Sequence, residues 1–211
     1  MHIISHRGYW LEPNDKNTLI SFERSFQHGF GIETDIRDCD GRMVISHDPA
    51  DSTCPGLEDV LALHNLINPE LPLALNIKSD GLFTSLLSLL SSFQVKNYFV
   101  FDMSIPDTLG YLQNGINYFT RQSEYEPVPS LYETAAGVWM DCFNSEWMTE
   151  TQIAGHLAAG KQLCLVSPEL HKRDHRPFWN RLSAMMIRDA EGLMLCTDFP
   201  QEAREYLHGT N

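Results

Sequence analysis

LPLALNIKSD, residues 71–80, is an apolar run that ends in an amide and an ammonium, Asn76 and Lys78, two positions apart. Read as a strand, it points both side chains to one face and buries the apolar residues before them. The same design recurs along the chain: HIIS from residue 2, GIETDI from 31, NYFVF from 97, INYFT from 116, GVWMDCF from 137, KQLCLVS from 161 and EGLMLCT from 191. Between these runs lie segments with apolar residues at three- and four-residue spacing, such as NTLISFERSFQHG, GLEDVLALHNLI, GLFTSLLSLLSSF, IPDTLGYLQNG, MTETQIAGHLAAG and RPFWNRLSAMMIRDA. Strand and helix in alternation predict a parallel α/β sheet, either a doubly wound sheet or a (β/α)8 TIM barrel. Eight candidate strands favour the barrel. RMVISHD, just after the second strand, predicts a small inserted hairpin strand.

The chain has 211 residues, 43% of them hydrophobic, with no shift of composition along its length, which predicts a single domain over 1–211. A formal net charge of -13 excludes a nucleic-acid backbone or an anionic membrane surface as a general partner. There is no basic leader before an apolar stretch, and no run near the roughly 18 apolar residues of a membrane span, so no stable membrane association is expected. Five cysteines without a C-x-x-C spacing predict reduced thiols and a cytoplasmic protein.

In a barrel the chemistry gathers where the strands end. The first strand ends in SHRG (5–8), the second contains ETD (33–35), the hairpin ends in SHD (46–48) and the third parallel strand ends in NIK (76–78). Glu33 and Asp35 project to one face and repel each other unless a positive group lies between them. Two arrangements satisfy the pair: a hard divalent cation, Mg2+ or Ca2+, held by oxygens, or an ion pair to Arg7 or Arg37. His6 and His47 stand beside charged residues in loops where imidazole can carry protons. With Arg7 and Lys78 to hold a phosphate, the set suits phosphoryl chemistry.

These residues resemble the glycerophosphodiester phosphodiesterase family, within the phospholipase C-like phosphodiesterases. The resemblance rests on HRG at 6–8, KNTLISF from 16, ETDI from 33 and DGRMVISHD from 40, in the family's order, and on CTDFP at 196–200. It implies a TIM barrel in which His6 and His47 are the general acid and base, Glu33 and Asp35 ligate one Mg2+ or Ca2+, and Arg7 and Lys78 hold the phosphate of a small phosphodiester. The product would be a phosphomonoester and an alcohol. Three positions depart from the family. Lys16 replaces a Glu, the turn from Asp35 to Asp40 is one residue short, and Asn76 stands where many members have a third metal-binding Glu. An amide oxygen can still ligate such a cation, with one charge fewer.

The second half contributes TRQSEYEP, WMDCFNSEW and SPELHKRDH after its strands. Arg121 and Trp139, with Asp141, Glu169 and His171, are candidates to read the organic part of a substrate. Two rival readings remain beside hydrolysis: a lyase-type cleavage that leaves a cyclic phosphate, and a noncatalytic barrel that binds a phosphorylated sugar or polyol.

Overall fold

The computed structural model describes residues 1–209. In chain order these form β1 (His2–His6), α1 (Leu19–Gln27), β2 (Gly31–Cys39), β3 (Arg42–Ile45), α2 (Leu57–Ile67), β4 (Leu73–Ile77), α3 (Phe83–Ser92), β5 (Tyr98–Phe101), α4 (Ile105–Gln113), β6 (Phe119–Gln122), β7 (Gly137–Met140), α5 (Glu150–Ala158), β8 (Gln162–Val166), α6 (Arg176–Ala184), β9 (Leu193–Thr197) and α7 (Pro200–His208). The strand order is β5-β4-β2-β1-β9-β8-β7-β6, with β3 paired to β2 alone. Apart from the hairpin strand, sequential strands are neighbours in that order, and no switch point of a doubly wound sheet interrupts it. One parallel bridge, Val100 to Tyr118, and the bond from Val100 N to Asn117 O join β5 to the segment entering β6. The fold is therefore of the (β/α)8 barrel class, with eight parallel strands and one antiparallel insert after β2.

Contacts cluster into two units, Ser5–Tyr118 and, with Met1–Ile4, the chain from Phe119 onward. In the first, β2 pairs in parallel with β4, and β4 with β5, while β3 folds back antiparallel on β2 from Ile36 opposite Ile45 to Cys39 opposite Arg42. Its helices bury one stripe each: Phe22 and Phe26 of α1, Leu57, Val60 and Leu61 of α2, and Leu86 and Leu90 of α3. The start of α1 is set by a capping box, in which Thr18 Oγ1 accepts from Ser21 N and Ser21 Oγ from Thr18 N. Gly8 lies against this turn at φ 84°, and a Cβ there would fall 2.3 Å from Ser21 Oγ. Only glycine fits that close approach in a left-handed backbone.

In the second unit β6, β7, β8 and β9 pair in parallel. Between β6 and β7, where the sequence offers no helical pattern, the chain forms only a 3-10 turn at Tyr132–Thr134, in keeping with Pro127 and Pro129, which cannot sit inside a helix. The helix expected through residue 190 stops at Ala184, where Met185 turns to an extended conformation and Glu150 takes the N–H of Met186. A further helix, α7, packs through Ala203 and Leu207, too sparse a stripe to stand out in the sequence. The five cysteines carry free thiols, three of them buried. Among the described residues no helix is long and apolar enough to cross a membrane.

Candidate active site

The centre of the first unit is built on the register of β2 and β4. Glu33 and Asp35 alternate with Thr34 and so share a face, and Asp35 lies opposite Asn76. All three are buried, at 2%, 1% and 8% exposure. Two carboxylates in so dry a place cannot both ionise freely. Burial first, and then the negative charge of Asp35, push the Glu33 carboxyl above its ordinary value.

Cations from neighbouring elements meet Asp35. Arg7 Nε is 3.1 Å from its Oδ2 and Lys78 Nζ is 3.5 Å from its Oδ1. Asn17 donates its amide to the same Oδ2 at 2.9 Å and accepts from Thr34 Oγ1 at 3.0 Å. Glu33 receives the Arg7 N–H at 3.3 Å and the Asn76 amide at 3.2 Å, with His6 Nε2 3.8 Å away. Lys78 also stands 3.6 Å from Asp102 Oδ2. Arg7, Asn17 and Asp102 all hold left-handed backbones, at φ 57°, 58° and 71°, a local strain of the kind stored at functional sites.

Of the two arrangements open to the carboxylate pair, the ion pair to Arg7 is present. Arg37 is used differently: its guanidinium donates to the carbonyls of His47, at 3.1 and 3.0 Å, and Lys78, at 3.1 Å. It thus ties the loop carrying His47 to the end of β4. His47 itself is half exposed, with Nδ1 2.9 Å from Asp48 Oδ1.

The fit to a cation turns on two oxygens. Asp35 Oδ1, ion-paired with Lys78 at 3.5 Å, and Asn76 Oδ1 are both buried and accept no hydrogen bond, a state that costs free energy where no other group supplies the partner. Among the described residues no three His, Cys, Asp or Glu side chains converge as metal ligands. The residues that lie together here are two carboxylates and an amide, with Asn76 donating to Glu33 and standing opposite Asp35. Such all-oxygen donors fit Mg2+ or Ca2+.

The substrate-reading candidates belong to the second unit. Arg121, in β6, is 3.6 Å from Glu126 Oε2 and 5.9 Å from the Phe143 ring. Trp139, in β7, is buried, at 4% exposure. Asp141 meets His171 Nε2 at 2.5 Å, and Glu169 accepts from Ser167 and Thr197 hydroxyls and from Asp198 N. Sequence reasoning missed the roles of Asn17, Arg37 and Asp102. Asp102 had a signal, since it directly follows the apolar run NYFVF just as Lys78 follows its own.

No protein-family model matches the chain, and no curated protein is significantly similar to it. Solved structures are. A glycerophosphodiester phosphodiesterase from Agrobacterium tumefaciens superposes with a TM-score of 0.71 at 15% identity, covering 99% of this chain and 100% of that one. An Oleispira antarctica phosphodiesterase, in complex with the product sn-glycerol-3-phosphate, gives 0.70 at 16% identity, covering 99% and 97%. A Ca2+-dependent phosphatidylinositol-specific phospholipase C from Streptomyces antibioticus gives 0.54 at 10% identity, covering 98% and 95%. The fold is thus one shared with phosphodiesterases over essentially the whole chain.

Proposed function

We propose that the chain is a cation-dependent phosphodiesterase that hydrolyses a glycerophosphodiester, or a similar small diester, to a phosphomonoester and an alcohol. The observation that carries this reading is the pair of buried oxygens on Asp35 and Asn76 that accept no hydrogen bond, placed beside Glu33, Arg7, Lys78 and His6. Likeness to glycerophosphodiester phosphodiesterases, one of them holding glycerol 3-phosphate, supports the choice of substrate class.

In this reading Glu33, Asp35 and Asn76 would hold one Mg2+ or Ca2+, which would supply stabilisation of negative charge on the phosphoryl oxygens. Arg7 and Lys78 orient the phosphate. One of His6 and His47 takes a proton from water as its oxygen bonds to phosphorus, and the other donates a proton to the alkoxide as the bond to the leaving alcohol breaks. Asp48, on Nδ1 of His47, leaves Nε2 for that transfer. The free thiols support a cytoplasmic setting.

The test is phosphorus NMR on a panel of glycerophosphodiesters, with Mg2+, Ca2+ or a chelator. A phosphomonoester formed only with the cation is expected. A cyclic phosphate as the final product would replace hydrolysis by the lyase-type route, and no turnover by a folded protein would leave a binding barrel.

A further inference from the structure

Lys78 lies between two carboxylates at nearly equal distances, 3.5 Å from Asp35 Oδ1 and 3.6 Å from Asp102 Oδ2. Asp35 is one of the oxygen donors of the centre, whereas Asp102 comes from the next strand over. The register explains how it arrives. Phe101, the last residue of β5, pairs with Asn76 of β4, so Asp102 enters one strand beyond the position that carries an amide instead of a third carboxylate. Its backbone is left-handed at φ 71°, and its side chain is 16% exposed.

A cation bound at Asp35 and the ammonium of Lys78 would compete for the same Oδ1, because each is positive and each now finds that oxygen without a hydrogen bond. Lysine has a flexible four-carbon stem, so its head can move between neighbouring acceptors without moving the backbone. Asp102 supplies the second acceptor. We infer that Asp102 is a positioning residue: it holds Lys78 away from Asp35 when the cation and phosphate bind. The inference rests on the proposed function and adds to it a residue that acts through Lys78.

A double-mutant cycle read by calorimetric titration of Ca2+, with Mg2+ in parallel, tests this without relying on turnover. The proteins are wild type, Asp102→Asn, Lys78→Met and the double variant, with circular dichroism to check the fold. Asp102→Gly is measured alongside, because glycine suits the left-handed backbone whatever the asparagine does. With Lys78 present, neutralising Asp102 is expected to weaken cation affinity about tenfold, and with Met at 78 the same change is expected to cost at least about threefold less. An equal loss in both backgrounds, or no loss in either, overturns the role assigned to Asp102 while leaving the cation site intact. A wild-type protein that binds neither cation overturns the cation centre itself, and this inference with it.

Discussion

The two units of the chain treat polar groups at the ends of their strands in opposite ways. In the second, Glu169 is saturated by Ser167, Thr197 and the Asp198 N–H, Asp141 is matched to His171, and Glu124 accepts the N–H groups of Phe143, Asn144 and Ser145. These groups satisfy one another and pin loops. In the first, Glu33 and Asp35 are more deeply buried, yet Asp35 Oδ1 and its neighbour Asn76 Oδ1 are left without hydrogen bonds, with cations and a histidine beside them. A fold that only needed stability would close such oxygens with donors, as the second unit does. Acceptors without hydrogen bonds, grouped with cations and a histidine, are what single out the centre of the first unit as the candidate site.

The largest effect that could break this contrast is on rate. His6→Ala and His47→Ala should each lower phosphodiester turnover by about two to four orders of magnitude with little change in melting temperature. An unchanged rate in either variant would remove that histidine from the mechanism. Next comes the amide. Asn76→Glu adds a carboxylate opposite Asp35 and should tighten Ca2+ binding on the order of tenfold, as ligand charge tunes such sites; calorimetry showing no change would mean that position 76 does not face the cation.

A smaller effect should follow pH. Because burial and the charge of Asp35 raise the Glu33 carboxyl above its ordinary 4.5, the folded protein holds that proton more tightly than the unfolded chain. Stability of the cation-free protein should therefore fall as pH rises from the ordinary value through the raised one, and cation affinity should rise over the same window. Thermal melts of wild type against Glu33→Gln, in chelator, read this directly, since the Gln variant should lack the slope.

The smallest expected effect lies in the second unit, where Glu124 shows the opposite sign. Burial pushes its carboxyl upward, but the backbone donors of Asn144, Ser145 and Phe143 outweigh that and hold it at about 2. Its stabilisation should be complete above the ordinary carboxylate range and vanish as pH falls from about 4.5 toward 2. Glu124→Gln should then lower the melting temperature by a few degrees at neutral pH, leave turnover unchanged, and match wild type in strong acid.

Much of this was legible in the sequence wherever a feature follows the two-residue period of a strand. Glu33 with Asp35, and Asn76 with Lys78, declare their shared faces by spacing alone, and the alternation of strand and helix calls for a parallel α/β sheet that the count of eight strands turns toward a barrel. What spacing cannot show is which strand ends meet. Asp102 is joined to Lys78, and Asn17 to Asp35, only by register and by left-handed turns that no local pattern announces. The lack of a helix between β6 and β7 agrees with the sequence, which shows no helical spacing there and carries Pro127 and Pro129.

The most direct test of a cation and phosphate centre in the first unit is a crystal structure of the protein soaked with Ca2+ and glycerol 3-phosphate. The centre described above predicts a single cation peak within about 2.3–2.6 Å of oxygens from Glu33, Asp35 and Asn76, with the phosphate reached by Arg7 and Lys78. A peak elsewhere, or the Asn76 amide turned to present its nitrogen to an empty position while Arg7 and Lys78 stay locked on Asp35, would contradict it.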